Sequence, residues 1–201
     1  MIESQAPTRV DLAGGTLDIW PLYLFHTNSQ TINFAIDCYA RCRLTARRDR
    51  AIHLISKDLA RRESFPSLRA LLQTNRFRLP LLARLVTAFE PQGGFTLATD
   101  SDAPSGAGLG GSSALNIAVC GALSRFTGVM LPPAKLIEIA RNVEAQVLGV
   151  PTGEQDYYSA VQGEALALTW ALRKCAPYLR GRHFSVYCRD PTFYPWILDP
   201  S

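Results

Sequence analysis

Along the 201-residue chain, stretches with apolar side chains at every second position give way to stretches with a period of three to four. RVDLAGG, residues 9–15, reads as a short strand closed by a glycine turn. In TINFAIDCYARCRLTARR, residues 31–48, Ile32, Phe34 and Ile36 share one face, and Arg41 and Arg43 share a side with Tyr39. This alternation suggests a strand pair, with AIHLISKD, residues 51–58, as a third strand. LPLLARLVTAFE, residues 79–90, has helical spacing, and GFTLATDSDAP, residues 94–104, is a strand running into a loop. SSALNIAVCGALSRF, residues 112–126, predicts a helix capped by Ser112 or Ser113. PPAKLIEIARNVEAQVLG, residues 132–149, predicts a second, with prolines at its start and Gly149 past its end. EALALTW, residues 164–170, reads as a further strand. Strands first, then two helices, then a strand imply an α+β layout. From residue 171 no clear period remains, so residues 1–170 are expected to form the domain and 171–201 a tail.

Composition narrows the class. A hydrophobic content of 47% and a mean hydropathy of +0.02 fit a globular protein, and no apolar run reaches the roughly 20 residues of a membrane span. The N-terminus lacks a signal-peptide layout, and the expected compartment is cytoplasmic. Five cysteines without a C-x-x-C pair argue for reduced, buried thiols rather than zinc or disulfides. The net charge of +4 is uneven: residues 41–84 hold 12 basic and 3 acidic side chains. That stretch could meet a polyanion, but such charges are more often solvated faces, which argues against a nucleic-acid partner.

The densest chemical signal is APSGAGLGGSSAL, residues 103–115. Gly106, Gly108, Gly110 and Gly111 precede Ser112, Ser113 and a long helix. Unpaired N–H groups at a helix start carry partial positive charge, and glycines let the backbone close on an anion. A polyphosphate is the natural guest. The loop is not of the G-x-x-x-x-G-K-[ST] type, and the distant acid and the βαβ layout of a dinucleotide site are missing. On the second helix, Leu136, Ile139, Val143 and Val147 make an apolar stripe. Glu144 lies beside Ile137, Ala140 and Leu148, where a carboxylate either pairs, binds a metal such as Mg²⁺, or points to water. In GVPTGEQDYYSA, Asp156 could be a helix cap. Arg9 could be a surface strand residue and Asp18 another cap.

In combination these segments resemble the GHMP kinases, the superfamily of galactokinase, homoserine kinase and mevalonate kinase. The residues are PTRVDLAGGTLD from Pro7 to Asp18, PSGAGLGGSSA from Pro104 to Ala114, and EAQVLGVPTGEQD from Glu144 to Asp156. The likeness runs from residue 6 to about 170 in the order of the family's motifs. It implies the family's α+β N-terminal domain, an architecture shared with a ribosomal protein. It also implies that Pro104, Gly106, Ala107, Gly108, Leu109, Gly110, Gly111, Ser112 and Ser113 wrap the ATP phosphates. Glu144 and Ser112 would hold Mg²⁺. Asp156 would take or orient the substrate's hydroxyl proton, Arg9 would offset charge beside it, and Asp18 and Gly153 would lie near the substrate. The double glycine before Asp18 and the G-x-Q-D ending at Asp156 are similar to the heptose-phosphate and fucose kinase branches, so a sugar or sugar phosphate is the implied substrate. Galactokinases have an acidic residue where Gly15 stands.

Two departures are visible. Many family members carry a hydroxyl residue where this chain has Gly111. The family's C-terminal domain, with its own glycine-rich motif, is expected to be absent, leaving apolar surface uncovered. The alternative to a kinase is therefore a non-catalytic nucleotide-binding or interaction module.

Overall fold

A computed structural model describes residues 1–26 and 31–161. Strands β1 (Ile2–Ala13), β2 (Ile32–Ala46), β3 (Ile52–Ser56), β4 (Arg61–Phe65) and β5 (Phe95–Ser101) form one sheet in the order β1-β2-β5-β3-β4. Neighbours are antiparallel except β3 and β5, which run parallel. A parallel pair needs a crossover. β4 and the helices α2 (Leu68–Leu72) and α3 (Pro80–Phe89) supply it. α4 (Gly111–Thr127) lies across β1 and β2, with α3 and α5 (Pro133–Leu148) beside it. The short α1 (Leu22–Phe25) buries none of its residues. The core lies between the sheet and this helical layer, where Leu44, Leu54, Phe95 and Leu97 meet Leu85, Val86 and Leu123. The expected strand over 164–170 and the tail lie outside the described residues.

Residues 31–48 hold one long strand, Ile32–Ala46, rather than a pair; it is paired on both edges, and its alternation changes phase midway. Pro7 faces Tyr39 but Arg9 faces Ala35, so two steps on β1 span four on β2. The buried positions accordingly switch from Ala40, Cys42 and Leu44 to Ala35. Ile32, Phe34 and Ile36 share a face, as their spacing predicts, but it is opposite Ala35 and none of them is buried. The same irregularity buries the consecutive residues Thr8 and Arg9 of β1, which a regular strand would point to opposite faces. A cation is thereby turned inward.

The expected caps on α4 are not made by serine. Gly110, left-handed at φ 66°, stands at the N-cap, and Ser112 and Ser113 lie inside the first turn. On α5 the stripe through Leu136, Ile139, Val143 and Val147 is buried in part, with Val143 in the core and Leu136 and Ile139 half-buried against it. The buried positions of α5 are Ile137, Ala140, Val143 and Glu144, and Leu148 is exposed. The reason in both cases is a contact distant in sequence, described below. At the end of α3, Glu90 takes the left-handed conformation at φ 42°, which a side chain disfavours by about 1 kcal/mol. Glu90→Gly is expected to raise the melting temperature by about 3 °C, readable by thermal unfolding.

Candidate active site

β5 delivers the chain into the glycine loop, and the loop delivers it into α4. Gly106, Gly108 and Gly110 are all left-handed, alternating with Ala107 and Leu109. Ala114 N–H bonds Gly110 O, so the N–H groups before it belong to the open first turn of the helix. A cavity of about 430 Å³ lies here, lined by residues 103–113 together with Arg9, Glu144 and Asp156. Three distant segments thus converge on the loop.

Arg9 joins two of them. Its backbone N–H donates to Leu109 O at 2.9 Å and its Nη1 to Gly108 O at 2.6 Å, fastening the loop to β1. Its Nε donates to Asp156 Oδ1 at 2.7 Å, and Nη1 also lies 3.1 Å from Asp11 Oδ2. A Cβ on Gly110 would stand 3.2 Å from Arg9 Cγ and 3.4 Å from Asp156 Oδ2, so the loop approaches this pair as backbone. Arg9 is therefore not a surface residue.

Asp156 sits in a helical segment, 155–161. Its N-terminal N–H groups are capped from far away: Asp18 Oδ2 accepts from Glu154 N–H at 2.6 Å and Gln155 N–H at 3.0 Å. Gly153 makes that approach possible, because a Cβ there would stand 2.3 Å from Asp18 Oδ2. Asp18 thus acts as a cap, though for a helix over 130 residues on, and Asp156 is released from that task. Burial raises the Asp156 carboxyl above its ordinary value. The Arg9 hydrogen bond and charge oppose that rise, and Asp18 and Glu144 add to it.

Glu144 is 5% exposed and accepts hydrogen bonds from Ser112 Oγ, Ser113 Oγ at 3.2 Å and the Tyr157 hydroxyl. This explains why the serines do not cap α4 and why α5 turns Glu144 inward: the hydroxyls and the carboxylate satisfy one another across the helix interface. Burial, and next the Glu144 carboxylate, push the Tyr157 phenol well above its ordinary value, so it stays a donor. Among the described cysteines, Cys42 and Cys120 are buried free thiols, and burial pushes Cys42 up to about 12. Cys175 and Cys188 lie outside the described residues.

All the motif residues meet here except Asp18 and Gly153, which reach the site through the helix holding Asp156. Three participants were not apparent in the sequence. Asp11 shares Arg9. Gln155 Nε2 donates to Gly15 O, tying the helix to the first motif. Tyr157 holds Glu144. The run Gln155-Asp156-Tyr157 directly after a Pro–Gly turn was the available signal for the last two. In the basic stretch, Arg41, Arg43, Arg47 and Lys57 have acidic partners in Asp102, Glu3, Asp49 and Asp100.

Residues 77–164 match the family model described as GHMP kinases N terminal domain. A D-glycero-alpha-D-manno-heptose 7-phosphate kinase of Campylobacter jejuni subsp. jejuni serotype O:2 is 33% identical over 165 residues, 81% of this chain and 48% of that kinase. The likeness is to the GHMP kinases, over residues 77–164 for the family model and over 165 residues for this relative. The fold is also similar to those of solved kinases. A D-glycero-D-manno-heptose 1-phosphate kinase from Bacteriodes thetaiotaomicron superposes with a TM-score of 0.70 at 25% identity, over 82% of this chain and 54% of that one. A putative sugar kinase from Campylobacter jejuni gives 0.68 at 28%, over 81% and 50%. The galactokinase of Thermotoga maritima is 33% identical over a shorter stretch, 41% of this chain and 25% of that enzyme. The chain thus spans about half the length of the heptose-phosphate kinases it matches. A second model, RNase H-like domain found in reverse transcriptase, matches residues 149–195. Within the described residues, its share, 149–161, is the turn and helix that bring Asp156 to the GHMP kinase loop. No described helix is long and apolar enough to cross a membrane.

Proposed function

We propose that this chain is the ATP-binding half of a small-molecule kinase that phosphorylates a hydroxyl of a sugar or sugar phosphate. The observation that carries this reading is the Arg9 clamp. One guanidinium ties the phosphate loop to the carboxylate of Asp156, so the phosphoryl donor and the proton acceptor share a fixed frame. Phosphoryl transfer needs little covalent help from the protein, and positioning and charge do most of the work. Residues 104–113 cradle the phosphates. Asp156, with Oδ2 free of the Arg9 bond, orients the acceptor hydroxyl and takes its proton. Arg9 offsets charge that develops between them. The acceptor lies toward Asp18, whose Oδ1 is buried without a partner and can take a ligand hydroxyl.

The donor set also fits Mg²⁺. Glu144 and Ser112 present two hard oxygens side by side at the head of α4, and Mg²⁺ is usually held by one or two carboxylates plus substrate phosphates. Asp11, Asp18, Asp156 and Glu144 outnumber the single buried guanidinium, so the site favours a cation. Glu144 and Ser112 would hold the ion, which would supply neutralising positive charge for the phosphates. Gly111 leaves room for the hydroxyl many relatives carry. A Cβ there would stand 3.4 Å from Ala103 Cβ and 3.9 Å from Ser101 Oγ, ordinary contact distances. Gly111→Ser is expected to fold normally and to lower the magnesium concentration needed for half-maximal nucleotide binding, measured by calorimetry.

Coupled ADP release over a panel of sugars and sugar phosphates tests the reading, together with a thermal-shift titration with Mg-ATP. Turnover supports the kinase. A melting-temperature rise without turnover supports a nucleotide-binding module, which the same loop can serve alone. No shift and no turnover would refute both.

A further inference from the structure

The Arg9 guanidinium has a third partner, Asp11, and a glycine is kept empty for it. Asp11 Oδ2 lies 3.1 Å from Arg9 Nη1, on the same nitrogen that donates to Gly108 O. Asp11 Oδ1 is buried with no hydrogen-bond partner. A half-buried carboxylate with one unsatisfied oxygen is costly, and its pKa is raised by burial first, against the opposing charge of Arg9. Its place is secured by Gly15: a Cβ there would stand 2.7 Å from Asp11 Oδ2, 3.3 Å from Cγ and 3.5 Å from Cβ. Gly15 is not left-handed, so alanine suits its backbone and only the carboxylate is in the way.

Resting on the kinase reading above for its functional meaning, we propose that Asp11 is a positioning residue that aims Arg9 Nη1 at the phosphate loop, and that Gly15 is the gap that lets it do so. Two carboxylates, Asp156 on Nε and Asp11 on Nη1, hold the guanidinium from two sides. With Asp11 displaced, Nη1 is free to swing from Gly108 O, and the loop loses one of its two ties to β1. A Cβ at position 15 forces the Asp11 carboxylate to shift, so the two positions form one unit.

The test uses the full chain and the variants Asp11→Ala, Gly15→Ala and the double variant, with Asp11→Asn as the conservative rescue. The primary readout is hydrogen exchange of the Arg9 backbone amide, whose acceptor is Leu109 O. It needs neither nucleotide nor turnover. Each single alanine variant is expected to speed that exchange about tenfold, with the double variant no faster than either single, because two changes to one unit do not add. Asp11→Asn, which keeps an acceptor for Nη1, should restore near-native exchange. Thermal melts establish that all four are folded. Unchanged exchange in Asp11→Ala, or fully additive effects in the double variant, would overturn the proposal. The second readout is Mg-ADP affinity, expected to weaken in step with loop release in the alanine variants. Exchange that shifts as expected in a chain that binds no nucleotide would leave the Asp11–Gly15 unit standing and bring down the kinase reading alone.

Discussion

Asp156→Asn is expected to lower phosphoryl transfer about a thousandfold and yet to raise the melting temperature at neutral pH. The first effect follows from removing a positioned base. The second follows from the direction of the Asp156 pKa. Burial, the largest influence, raises it, the hydrogen bond and charge of Arg9 lower it, Asp18 and Glu144 push in the same direction as burial, and the net shift is upward. A carboxyl whose pKa is raised on folding adds stability only while protonated, and loses it as pH climbs through the folded value. Above that range the ionised side chain weighs against the fold. Asparagine keeps an acceptor for Arg9 Nε and leaves that guanidinium balanced by Asp11 alone. The advantage of the variant should therefore grow between about pH 4 and pH 7, the span above an ordinary aspartate pKa. Melting curves at the two ends check it. A variant less stable at neutral pH, or one with undiminished turnover, would contradict the assignment.

The second large effect concerns Glu144. Glu144→Ala removes the common acceptor of Ser112, Ser113 and Tyr157 and leaves a hole between α4 and α5. Unsatisfied buried hydroxyls and the cavity together are expected to cost about 3 kcal/mol, or roughly 10 °C in melting temperature. Glu144→Gln keeps the shape and one acceptor oxygen, so it should melt close to the native protein. Its magnesium-dependent nucleotide affinity should nevertheless fall about tenfold or more, because an amide is a poor ligand for a hard cation. Calorimetric titration of Mg-ADP across magnesium concentrations separates the two variants. A glutamine variant with native magnesium dependence would remove Glu144 from the metal site.

Much of this site could be read along the chain, because its loop and both long helices are local features. Glycines, serines and an apolar run fix α4 without help from elsewhere. What could not be read depends on partners far away in sequence. Ser112 and Ser113 fit a cap by residue type, but a carboxylate more than 30 positions on takes their hydroxyls. The periodicity of α5 pointed to Leu136, Ile139, Val143 and Val147, because a glutamate does not score as a core residue until its three donors are known. Asp18 looked like a cap and is one, for a helix no local pattern connects to it. The strand Arg61–Phe65 has no local signature, since RRESF neither alternates nor is apolar and becomes a strand by pairing with β3. Asp11 has a signal, a double glycine three and four residues on, but its meaning requires knowing which atom fills the space.

The bond from Arg9 N–H to Leu109 O has a bearing beyond the reaction. Among the described residues β1 is a border strand of the sheet, and border strands offer unpaired backbone groups to other chains. At Arg9 that offer is already taken by the loop's own carbonyl. A ligand that holds the loop down therefore also shields the rim of the sheet against strand addition. Protein kept saturated with nucleotide should stay monodisperse at concentrations where the empty form begins to stack edge to edge.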